Sequence, residues 1–158
     1  MVFYKQIIVN MSEMEDELEL LLPLLQEWRR KYSMTYRRPI DRYLCAKSYM
    51  SMAELLSEHF GIKGMPDFRY NANGKPFLAE SPSIHFNISH CQGGIICAAS
   101  DRPVGVDIET VQFDDKLARF VLSEREYQEV ISSEKPDIRF TEYWTMKESK
   151  VKLSGTGI

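Results

Sequence analysis

At 158 residues, 44% hydrophobic and 27% charged, the chain has the composition of a globular domain rather than a disordered, fibrous or membrane-spanning one. Lys and Arg number 20 against 23 Asp and Glu, and a formal charge of −3 argues against a nucleic acid held by global attraction. Three cysteines, Cys45, Cys91 and Cys97, lack C-x-x-C spacing, so neither a disulfide framework nor a zinc site is indicated. With no basic-then-apolar leader and no apolar run of about 20 residues, a reducing, cytoplasmic setting without a membrane partner is expected.

Along the chain, 2–9 reads as a strand. Ser12-Glu13-Met14-Glu15 has capping-box spacing, and Leu18, Leu21, Leu22 and Leu25 predict one helix running to about Arg30. Pro39 suits a first helical turn and opens a second helix that stops near Gly61. Asn73-Gly74 predicts a hairpin turn, and β-type runs follow at 83–87, 94–100 and 104–110. Helical pattern then returns at 117–121, 123–131 and 138–153.

Asp107 and Glu109 lie two apart, so on a strand both carboxylates project to one face. They are either a solvated pair on the wet face or ligands of magnesium, a hard ion that takes carboxylate oxygens together with water and phosphate. Trp144, Glu148 and Lys152 share a stripe of the last helix. Glu148 and Lys152 read either as an exposed i,i+4 pair or as a base or metal ligand beside a phosphate-facing cation. Ser89-His90 follows a short strand, where hydroxyl and imidazole can meet a phosphate oxygen or serve only structure; there is no Walker loop and no dinucleotide fingerprint.

Five blocks in order resemble the 4′-phosphopantetheinyl transferases, specifically the larger type that activates surfactin synthetase. They are Arg42 followed by Gly74-Lys75-Pro76; Phe86-Asn87-Ile88-Ser89-His90; Gly105-Val106-Asp107-Ile108-Glu109; Phe120 with Glu126; and Trp144-Thr145-Met146-Lys147-Glu148-Ser149 through Lys152 to Gly155-Thr156-Gly157. The resemblance covers about residues 40–158.

The resemblance implies an α+β fold of two similar lobes related by a pseudo-twofold, each a small antiparallel sheet packed with helices, with 1–102 as the first lobe and 103–158 as the metal-binding strand and helical start of the second. It implies transfer of 4′-phosphopantetheine from coenzyme A to a serine of an apo acyl carrier protein or peptidyl carrier domain, releasing adenosine 3′,5′-bisphosphate. Asp107, Glu109 and Glu148 would hold magnesium. Arg42, Lys75, Pro76, Ser89 and His90 would line the coenzyme's adenosine end, Lys152 would meet its diphosphate, and Glu148, assisted by Glu126, would accept the serine proton. The family's chain continues past the G-x-G block with further strands, so the second lobe is incomplete here, and this chain is expected either to be a shortened form of a longer protein or to complete that lobe by pairing with another copy, and to be less active than a full-length relative. A non-catalytic coenzyme- or carrier-binding remnant and a carboxylate-metal nuclease stand as rival readings.

Overall fold

The computed structural model describes residues 1–155. Exposed and half-buried residues alternate along β1 (Val2–Ile8), which leaves one face of the strand in water. β1 pairs antiparallel with β5 (Gly94–Ser100), and β5 pairs antiparallel with β4 (His85–Cys91), so the strand order is β1-β5-β4.

The other face of this sheet is covered by α3 (Pro39–Phe60). Pro39 sits in the first turn, where no amide partner is needed, and Gly61 ends the helix at φ 68°, a left-handed conformation that glycine adopts without strain. Tyr43, Tyr49, Met52, Leu55 and Leu56 of α3 form one core with Phe86 of β4 and Ile95 and Cys97 of β5. The Cys97 thiol is pushed up to about 12 by burial, consistent with an inert core residue.

The single helix expected from residue 12 to 30 is two helices, α1 (Met14–Leu21) and α2 (Glu27–Met34), separated by a 3-10 turn at Leu22–Leu24. Pro23 withholds an amide donor there, and Leu25 is already extended at φ −78° and ψ 147°. The expected capping box is not formed either: the Ser12 amide and hydroxyl both donate to Asn10 Oδ1 instead.

The Asn73-Gly74 hairpin is present, joining β2 (Phe68–Tyr70) to β3 (Pro76–Leu78), with Gly74 at φ 77°. Asn71 Oδ1 accepts from the Asn73 and Lys75 amides and shapes the turn.

Beyond the sheet come α4 (Asp115–Val121), α5 (Glu124–Ile131) and α6 (Pro136–Ser154). Asp114 and Ser123 cap the first two with side-chain oxygens. Ala118, Leu122, Tyr127, Val130 and Phe140 form a second core, with Trp144 stacked on Phe140. Helices and small antiparallel sheets together bear out the α+β class. Among the described residues no helix is long and apolar enough to cross a membrane.

The strand expected at 104–110 is not formed; this stretch is irregular. Its Val106 amide donates to the side chain of Asn87 at 2.8 Å, so a side chain satisfies a group that a ladder would need. Gly105 meanwhile lies against the backbone of α6.

Candidate active site

The period of two along β4 sorts its residues by role. Phe86 and Ile88 face the α3 side, where Phe86 is buried in the core. Asn87 and Ser89 project from the opposite face and are both buried. Asn87 Oδ1 fixes the Val106 amide, and the Ser89 hydroxyl donates to Asp107 Oδ1 at 2.8 Å. One alternating strand thus grips the backbone and side chain of consecutive residues.

Lys152 reaches the same carboxylate from α6. Its ammonium donates to Asp107 Oδ1 at 2.5 Å and to Ser89 Oγ at 2.8 Å. The Asp107 side chain is only 1% exposed, and its second oxygen, Oδ2, is buried without a hydrogen-bond partner. An unsatisfied carboxylate oxygen beside a lysine is costly unless something else binds it.

Glu109 lies next to this group. Burial first, and then the neighbouring Asp107 charge, raise its pKa above the usual carboxylate range; Lys152 and a hydrogen bond from Trp144 oppose the rise. Glu148 is half-buried and close enough to Glu109 to push the same pKa up. Asp107, Glu109, Trp144, Glu148 and Lys152 are therefore one electrostatic neighbourhood. Among the described residues, however, no three His, Cys, Asp or Glu side chains are gathered closely enough to hold a metal by themselves.

Residues 103–158 match the sequence profile of the 4′-phosphopantetheinyl transferase superfamily. The chain is similar to the 4′-phosphopantetheinyl transferase psf-1 of Bacillus pumilus, 32% identical over 90% of this chain and 63% of the relative. It is also similar to the 4′-phosphopantetheinyl transferase Sfp of Bacillus subtilis, 29% identical over 86% of this chain and 67% of the relative. The C-terminal third of the chain thus carries the profile of the 4′-phosphopantetheinyl transferase superfamily, and the chain as a whole is similar to its Sfp-type members. It spans about two thirds of the length of these two relatives. The fold is like that of a solved holo-(acyl-carrier-protein) synthase from Bacillus anthracis in complex with CoA (3′,5′-ADP), at a TM-score of 0.50, with 18% identity over 62% of this chain and 91% of that one.

Against this superfamily pattern, several expected site residues stand in unexpected places. The Lys75 ammonium donates to the Lys152 and Leu153 carbonyls at 2.7 and 3.0 Å, and Asn73 Nδ2 donates to the Gly155 carbonyl at 3.0 Å. The β2–β3 turn thereby caps the C-terminus of α6, where carbonyls lack helical partners and cations are favoured. Burial lowers the Lys75 pKa. Arg42 donates from Nε to the Tyr36 carbonyl at 2.8 Å. The Thr156-Gly157 end of the last block lies outside the described residues.

Glu126 does not fit the assisting-base role expected of it. Its carboxylate accepts from the Ser123 amide in a formed capping box and pairs with Lys147, and these bonds bring its pKa down to about 2. A group that gives up its proton so readily is a poor acceptor at neutral pH.

One residue was noted in the sequence only as part of a basic run. Arg29 is buried, with its guanidinium 4.8 Å from the Tyr49 ring centroid and 5.4 Å from that of Tyr32, one bond to the Cys45 carbonyl, and a buried Nε without a partner. It lines a 190 Å³ cavity with Tyr32, Tyr36, Tyr70 and His90. The surrounding protein and the Lys152 ammonium hold the His90 pKa below its usual range. Pro76 borders this cavity and also grooves of 220 and 330 Å³, so the three adjoin over the Lys75-Pro76 turn.

Proposed function

We propose that this chain transfers 4′-phosphopantetheine from coenzyme A to a serine of an apo carrier protein, with magnesium at Asp107 and Glu109. The observation that carries the reading is the Asp107 carboxylate, buried, gripped on one oxygen and unpartnered on the other. The donor set fits magnesium, which usually binds one or two protein carboxylates and completes its shell with water and substrate phosphate. When bound, the ion supplies charge that stabilises the transferring phosphoryl group.

The residues of the chain divide the remaining work. The adjoining grooves suit an elongated ligand with anionic groups at intervals, with Arg29 and His90 at one end and Lys75 and Lys152 further along. Tyr32, Tyr36 and Tyr70, which line the cavity with Arg29 and are exposed, offer faces for a planar aromatic group. Lys152 orients the diphosphate, and Glu148 takes the proton from the carrier serine as its oxygen bonds to the pantetheine-side phosphorus. The bond to the other phosphate breaks, and its electron pair leaves with adenosine 3′,5′-bisphosphate.

The test is intact-mass analysis of several apo carrier proteins incubated with the chain, coenzyme A and magnesium. A mass gain equal to one phosphopantetheine, lost on chelation, supports the reading. Protection by coenzyme A against heat without any mass gain identifies a binding protein instead.

A further inference from the structure

Lys152 donates its ammonium to Asp107 and Ser89. Its side chain is 30% exposed and also borders the 220 Å³ groove, so it can turn toward that groove, whereas Asp107 at 1% exposure is held in place. A buried carboxylate needs a counter-charge, and Lys152 is the cation paired with Asp107 among the described residues. The position that stabilises Asp107 is thus adjacent to the position a divalent ion needs.

We propose that Lys152 is a stand-in counter-ion. Its ammonium neutralises Asp107 until a divalent cation takes that carboxylate, and it is then released toward the phosphates of the ligand. This rests on the magnesium reading of Asp107. An ammonium and a divalent ion on one buried carboxylate repel, so Lys152 keeps binding of the metal alone weak. A ligand that gives Lys152 phosphate oxygens relieves the competition, and metal and phosphate ligand then favour each other's entry.

The experiment is titration of the whole chain with Mn²⁺ without coenzyme, counting free ion by its electron paramagnetic resonance signal. Lys152→Met, similar in length but uncharged, is expected to bind Mn²⁺ about tenfold more tightly than the wild type, because a like charge has been removed from the site. Lys152→Arg, which keeps the charge, should stay near the wild type. Circular dichroism confirms folding, and Lys152→Gln serves if the Met variant does not fold. Equal or weaker binding in the uncharged variant, or none in either protein, overturns the proposal. Repeating the titration with coenzyme A separates the two layers. Wild-type binding that Asp107→Asn removes keeps the magnesium reading while the exchange falls; no Asp107-dependent binding in any sample removes both.

Discussion

A Cβ added to Gly105 would lie 2.1 Å from the Ser149 carbonyl oxygen and 2.5 Å from the Leu153 amide nitrogen. Glycine at this position therefore sets how closely the Asp107 segment approaches α6, and with it the reach of Lys152 to Asp107. Gly105→Ala presses on helix backbone rather than on a flexible side chain, so its cost should stand at or above about 3 kcal/mol, the upper end for overpacking. Gly93→Ala, with open space around its Cβ, should leave stability nearly unchanged. Urea denaturation of the two variants measures the contrast.

Removing the carboxylate charge at Asp107 should abolish transfer while the fold survives, since Lys152 can turn to the groove and water. For Asp107→Asn we expect loss of roughly 10²-fold or more in rate, the scale of a missing electrostatic stabiliser. Near-normal turnover, with an unchanged response to magnesium, would remove Asp107 from the site.

Glu148 and Glu126 separate cleanly as variants. Glu148→Gln should lower transfer by about 10²–10⁴-fold, as expected for a lost general base, with coenzyme A binding retained. Glu126→Gln should leave the rate per folded molecule intact and cost about 0.5–1 kcal/mol through the weakened cap and its partly exposed ion pair. The pH dependence follows from the lowered Glu126 pKa: its contribution is present above the ordinary carboxylate range and is lost as pH falls toward about 2. Acid unfolding of wild type against Glu126→Gln should show the full difference at and above the ordinary carboxylate range and lose it progressively as pH falls toward about 2.

The sequence already exposed Asp107, Glu109, Ser89, Glu148 and Lys152 as chemistry-bearing residues, because each sits in a short block at fixed spacing. Their partners were harder to read. Asn87 satisfies the Val106 amide across 19 positions, and that contact turns an alternating, strand-like run into an irregular segment. Lys75 was legible as a cation near a turn, but its use on the carbonyls of α6, a distant helix end, depends on the tertiary fold. Pro23 sat inside a leucine pattern whose helical period masked the break. Arg29 gained meaning only when three aromatic rings and a cavity closed around it.

His90 is held below its usual pKa, so it is largely uncharged at neutral pH in the free chain. A phosphate bound in the adjoining cavity favours the protonated ring, and binding should then take up a proton. Coenzyme A affinity should weaken as pH rises from about 5.5 to 7.5, across the imidazole range, and His90→Gln should flatten that slope. Calorimetry in buffers of different ionisation heat counts the proton directly; a slope unchanged in the variant would place His90 away from the phosphate.

The most direct measurement is the intact mass of an apo carrier protein after incubation with coenzyme A and magnesium, using wild type and Asp107→Asn side by side. The account predicts one phosphopantetheine added by the wild type, none after chelation, and little or none with Asp107→Asn. No mass gain on any carrier with folded wild-type chain, or equal modification by the two proteins, would contradict it.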